Sequence, residues 1–238
     1  MAALIRRARW PLVAATALLL IGAQTPTHQR GDLAPHELVV VVHGMGRSSL
    51  SMWPIARALE AEGYEVLRYG YSSYCCTIPQ IAADFRLHLA DRIGPQHTRV
   101  HFVGHSLGNI LVRHVLTRDT IPPRVGRVVM LAPPNQGALA ANRLSPYVGW
   151  LLKPTPELRA TSGATVLAIP RLNGVEIGII AASGDRTVKL AETHLPEEKA
   201  HVVVGGGHSF IMYREDVQRL TVQFIKSGSF AAESSRGP

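Results

Sequence analysis

Runs of β-branched residues alternate along this chain with stretches whose apolar positions recur at helical spacing. Glu37–Val42 (ELVVVV) is apolar without alternation, the pattern of a strand buried on both faces of a parallel sheet. Glu65–Tyr69, Val100–Val103, Arg127–Leu131, Val175–Ala181 and His201–Val204 predict five further strands. Between them, Ser51–Glu62 reads as a helix with Trp53, Ile55 and Leu59 on its apolar side and Gly63 as its stop. Ile78–Ile93 predicts a long amphipathic helix ended by Gly94-Pro95, Asn109–Leu116 a helix after the third strand, and Glu215–Ile225 a closing helix. Tyr69–Thr77 is an aromatic loop. Ala138–Gly174, with Pro146, Pro154, Pro156 and Pro170, is expected to be the least regular part. Strands alternating with helices predict an α/β domain: a mainly parallel central sheet of about six strands with helices on both faces. Ligands of such sheets bind beyond the carboxyl ends of the strands. There is no internal repeat and no sign of a second domain.

A chain of 238 residues, 46% hydrophobic and 18% charged, can bury a sizeable core and does not have a disordered composition. The N-terminus departs from this pattern. Arg6, Arg7 and Arg9 precede the continuous apolar run Pro11–Ala23, which is short for a bilayer core. Residues 1–23 therefore read as a signal peptide with a cut after Ala23, or, because Ile21 is not an ideal −3 residue, as an uncleaved anchor. The protein is expected to be exported, periplasmic or extracellular. Residues 24–36 form a polar, Pro-containing linker, 37–226 the domain, and 227–238 a flexible tail.

The formal net charge is +8, three of those charges lying in the leader. No basic tract stands out, so a nucleic-acid partner is not expected, while peripheral contact with an anionic membrane is compatible with the excess. No Cys/His spacing suggests a metal. The two cysteines, Cys75 and Cys76, are adjacent. They are expected to pack as small apolar residues in a loop; a vicinal disulfide, which closes a strained ring, or exposed thiols are the alternatives. The oligomeric state is not legible.

The candidate chemistry gathers just after strands. Gly104-His105-Ser106-Leu107-Gly108 lies between a strand and a helix, the context required of a G-x-S-x-G nucleophile elbow. Glycines at 104 and 108 leave room in a tight turn, and Ser106 would sit at a helix N-terminus that favours developing negative charge. A serine nucleophile needs a histidine base oriented by a carboxylate. Of eleven histidines, His208 follows the last strand on a Gly-rich loop and is the best candidate. His194, in a polar loop, is a weaker rival. His28, His36, His88, His97 and His114 have no suggested partner, His201 begins a strand, and His105 should point away from the pocket. Asp185, after the fifth strand, is the candidate carboxylate, with a role as a turn-capping residue as the alternative; Asp119 falls on the wrong side of the sheet. The order Ser106, Asp185, His208 suits the motif. The N–H groups of Leu107 and Met45 are candidate oxyanion donors.

His43-Gly44-Met45-Gly46, the elbow, Pro133-Pro134-Asn135-Gln136-Gly137, Gly184-Asp185 and Gly207-His208 together resemble the small bacterial lipase/esterase branch of the α/β-hydrolase superfamily, over about Glu37–Phe224. Asn109 departs from that pattern, standing where many lipases have a third small residue. The resemblance implies an esterase or lipase without a cofactor, acting on an ester or lipid, with Met45 supplying an oxyanion donor. Acyl transfer, thioester cleavage or a non-catalytic lipid- or protein-binding role remain alternatives. His43, Gly44, Tyr147, Trp150 and Leu151 are candidate substrate contacts, and 138–174 a candidate cap, whose Leu144, Tyr147, Val148, Trp150, Leu151 and Leu152 concentrate apolar area. Packing of these residues into the core as a short helix is the alternative.

Overall fold

Successive side chains of a strand point to opposite faces. In β1 (Glu37–Val42), Leu38, Val40 and Val42 enter one core layer and Val39 and Val41 the other, all buried. The unbroken Val run is thus the signature of a strand covered on both sides. The computed structural model describes residues 37–118 and 124–231. The expected leader and linker (1–36), the last tail residues (232–238), Asp119, His28 and His36 lie outside them.

The other strands are β2 (Glu65–Tyr69), β3 (Arg99–His105), β4 (Arg124–Leu131), β5 (Glu176–Ala182) and β6 (Ala200–Val204). They form one six-stranded sheet in the order β2-β1-β3-β4-β5-β6, every pair parallel. This is the predicted architecture. From β1 the chain steps outward to β2 and then returns to β3 on the other side of β1. The resulting switch point lies between β1 and β3, where a crevice opens at the carboxyl ends.

Helices α1 (Trp53–Ala61) and α6 (Glu215–Ser227) bury Ile55, Leu59, Val217 and Phe224 on one face of the sheet. Helices α2 (Ile78–Arg92) and α3 (Leu107–Arg118) bury Ile78, Phe85, Ile110 and Val115 on the other. A short 3₁₀ turn, Ser49–Met52, precedes α1, and Trp53, expected on the apolar side, is exposed. The domain extends past its expected end: Phe230 packs on Phe224, ring centroids 4.8 Å apart.

The segment expected to be least regular contains a helix, α4 (Leu139–Val148), despite Pro146 in its last turns. There the ring removes one donor near the helix end rather than interrupting a long ladder. The segment is tied to the body by Glu157, whose carboxylate accepts the Ile78 N–H at the start of α2 (2.6 Å). The short helix α5 (Leu190–Thr193) was not predicted. Cys75 and Cys76 are joined by a disulfide, contrary to the expected pair of packed thiols. Cys75 is exposed, while Cys76 is partly buried against the core.

Burial has an electrostatic consequence. His101 is fully buried in β3, its Nδ1 accepting the Arg127 N–H (2.9 Å), and desolvation lowers its pKa from 6.5 to about 4. His105 is held well below 6.5, chiefly by burial and then by the neighbouring His208. A histidine whose pKa is lowered by folding contributes stability that is complete above about 6.5 and is lost as pH falls through the folded value. Stability should therefore fall from about pH 6.5 towards 4, on the order of 3 kcal/mol from His101 alone. In a proton NMR titration, two histidine rings should stay neutral from pH 7.5 to 5; ordinary titration of every ring would refute the assignment.

Candidate active site

The elbow carries the local strain the motif demands. Ser106, at the β3–α3 junction, has φ 51°, in the left-handed region that non-glycine residues rarely occupy. Its N–H is held by the Leu131 carbonyl (2.9 Å), which also accepts the Asn109 side-chain amide (3.0 Å). Asn109 thus pins the turn to β4, a role its departure from a small residue did not reveal. A Cβ at Gly104 would come 2.3 Å from the Asn109 oxygen, which is why this position lacks one.

Ser106 Oγ lies 2.9 Å from His208 Nε2, and His208 Nδ1 lies 2.7 Å from Asp185 Oδ2. With Nδ1–H donating to the carboxylate, Nε2 is left to accept the serine hydroxyl proton. The other oxygen, Asp185 Oδ1, accepts the N–H groups of Thr187 (2.7 Å) and Val188 (2.8 Å). Asp185 is therefore both the histidine's partner and the turn-capping residue of the alternative reading. These three side chains project from loops after β3, β5 and β6, and are brought together at the carboxyl ends of the strands. His194 is not among them: it pairs with Glu198 (2.8 Å) and stacks on His201 at 4.1 Å.

Next to Ser106 is the loop after β1. Among the described residues, no backbone acceptor takes the N–H of Met45 or of Leu107. Two donors at a helix N-terminus and a facing turn suit a developing oxyanion. His43 and Gly44, expected as substrate contacts, build this loop. The His43 ring is buried, with Nδ1 donating to the Gly44 carbonyl (2.8 Å) and Nε2 accepting the Tyr71 N–H (3.2 Å). Burial lowers its pKa, which suits the neutral ring these bonds require. A Cβ at Gly44 would come 2.6 Å from His105 Nδ1, so this glycine permits close packing under the serine.

Sequence reasoning missed two positioning groups. Tyr71 stacks on His43 at 4.2 Å and donates its hydroxyl to the His43 carbonyl (2.9 Å), clamping the loop from 28 residues away. The buried His105 holds the His208 carbonyl through its Nε2–H (3.0 Å) and so fixes the base's backbone. The aromatic run Tyr69–Tyr74 was the only signal for the first, and nothing in the sequence signals the second. Farther away, buried Arg113, its pKa lowered by desolvation to about 10, holds Asn135 of the proline-rich turn (3.2 Å).

Tyr147 and Trp150 are exposed at 76% and 71%, and Leu144 at 50%. They do not pack into the core, and Thr155 of the same segment reaches the Met45 sulfur (3.5 Å). A surface groove of about 950 Å³ between α1 and α6 contains none of these residues. Among the described residues no cluster of His, Cys, Asp and Glu could hold a metal, and no helix is long and apolar enough to cross a membrane.

Residues 39–172 match the profile of the alpha/beta hydrolase family. Among solved structures, the chain is similar to a mature Bacillus licheniformis lipase (TM-score 0.66, 16% identity, covering 82% of this chain and 93% of the lipase). It is also similar to a Pyrococcus furiosus esterase (TM-score 0.63, 20% identity, 81% and 82% covered). A third likeness is to a Legionella pneumophila phospholipase (TM-score 0.61, 18% identity, 83% and 58% covered). No curated protein matches this sequence.

Proposed function

Because the chain belongs to the alpha/beta hydrolase family, we propose that it is an exported serine hydrolase that cleaves carboxylic esters. The observation carrying this reading is the hydrogen-bonded line from Ser106 through His208 to Asp185. Ser106 Oγ attacks the ester carbonyl carbon while its proton passes to His208 Nε2. The carbonyl oxygen becomes an oxyanion facing the Met45 and Leu107 N–H groups. Collapse of this intermediate breaks the bond to the alcohol, which leaves with the proton from His208. Water then attacks the acyl-enzyme by the same route, returning the serine and releasing the acid. Asp185 holds the imidazole in the competent tautomer and stabilises its charged form. The residues require no metal or organic cofactor for any of these steps. Export rests on the leader pattern of residues 1–23.

A panel of p-nitrophenyl esters from acetate to palmitate, with a fluorophosphonate probe, tests the reading. Turnover of part of the panel and a probe adduct on Ser106 are expected. A folded protein with neither is not a serine hydrolase.

The segment 138–174 serves in this proposal as a cap supplying acyl contacts, with Tyr147, Trp150 and Leu151 as its apolar face. Exposed side chains contribute little to stability. Trp150→Ser with Leu151→Ser should therefore shift the melting temperature by less than about 4 °C. Hydrolysis of long-chain esters should fall while short-chain esters are still cleaved. A larger drop in melting temperature, with every chain length affected alike, would mean that this face is structural.

A further inference from the structure

Between the loop after β1 and the His208 loop lies a cleft of about 780 Å³. Its walls include Met45, Arg47, Ser48, Ser51, Ser209 and Tyr213. Met45 carries one candidate oxyanion donor, and Ser209 follows the candidate base, so the cleft is bounded by residues of the two loops that carry the candidate site. Its lining contains no acidic residue. Arg47 makes no ion pair among the described residues, whereas Arg57, Arg92, Arg99, Arg127 and Arg214 each pair with a carboxylate. The guanidinium lies over the Phe210 ring, 5.2 Å from its centroid, an arrangement that restrains it without neutralising it. Its charge reaches the site, contributing to the lowered pKa of His105 beneath the serine. An unpaired guanidinium among serine and tyrosine hydroxyls offers a planar fork and O–H donors, the chemistry that binds phosphate or carboxylate.

Which part of the substrate enters follows from the proton path. His208 must protonate the leaving oxygen, so the alcohol departs on the His208 side, where Ser209, Phe210 and Tyr213 follow in His208–Tyr213, two 3₁₀ turns joined by a kink at Phe210. We propose that this cleft binds the alcohol portion of the substrate, and that Arg47 selects esters whose alcohol carries a phosphate or carboxylate close to the ester oxygen. This inference rests on the proposed ester hydrolysis by Ser106.

Three butyrate esters test it: glycerol monobutyrate, the same ester bearing a 3-phosphate, and butyryl lactate. The quantity read is kcat/KM for each anionic ester divided by that for the neutral one. Wild-type enzyme should prefer at least one anionic ester. Arg47→Gln should lower that ratio about ten- to a hundredfold, mostly through KM, and Arg47→Lys should restore part of it. The ratio cancels any loss of folded enzyme. Preference for the phosphate alone, or for both anions, identifies the group recognised. Raising the salt concentration should shrink the wild-type ratio. If the neutral ester is cleaved and the ratio is the same in wild type and Arg47→Gln, the anion site is refuted while the hydrolase stands. If no ester is cleaved and the probe leaves Ser106 unmodified, both readings fall.

Discussion

Ser106→Ala should lower ester hydrolysis by about 10⁴-fold or more, with circular dichroism and melting temperature close to wild type. The side chain bonds to His208, and its loss removes the nucleophile without opening a cavity. Asp185→Asn should be nearly as severe, for a different reason. The asparagine oxygen can still cap Thr187 and Val188, as Asp185 Oδ1 does. Its amide, however, presents donors to His208 Nδ1, which favours the tautomer with the proton on Nε2. That tautomer cannot accept the serine proton. His208→Ala should fall in the same range, and His194→Ala should stay near wild type, because His194 is engaged with Glu198 and His201. A pure Ser106→Ala protein retaining more than a few per cent of wild-type turnover would remove Ser106 from the mechanism.

Gly108→Ala should damage both stability and activity. A Cβ there would lie 2.4 Å from the Val42 carbonyl oxygen and 2.6 Å from that of His43. Both are backbone atoms, so no rotamer change relieves the contact; α3 and the end of β1 must separate. Overpacking of this kind costs about 1–3 kcal/mol. The strand end that would move leads into the loop holding Met45, and misplacement by about 1 Å can cost on the order of 100-fold in rate. The folded fraction should therefore lose at least about tenfold in kcat, beyond the loss of protein. Gly70→Ala is the control, since its Cβ would meet only Ser49 at 3.5 Å. Wild-type melting temperature and kcat in Gly108→Ala would show that the junction is looser than its geometry implies.

The parts legible in the sequence were those encoded by neighbours along the chain. Val39–Val42 announces a strand buried on both faces because a parallel sheet covered by helices leaves no polar alternation. Gly104 and Gly108 flank a serine that had to be placed in a left-handed conformation between strand and helix. Asp185 and His208 could be chosen because each follows a strand, and strand ends in a parallel sheet share one edge. Helix α4 was missed because Pro146 is a strong local signal for a break, whereas its place near the helix end makes it tolerable. The cysteine pair was misread because apolar packing was assumed for both, whereas Cys75 is exposed, Cys76 packs against the core and a disulfide joins the two.

What the sequence by itself determined is the sheet, the elbow and the order of the three candidate side chains, since these depend on periodicity and on residues a few positions apart. The tertiary structure alone decided the rest. It made His43 a loop-building residue under the clamp of Tyr71, and it placed His105 against the His208 carbonyl, 103 residues away. It also left Arg47 without an ion pair among the described residues, in a cleft it shares with Met45 and Ser209. Such roles are set by hydrogen bonds and desolvation between distant segments, and no local pattern records which segments will meet.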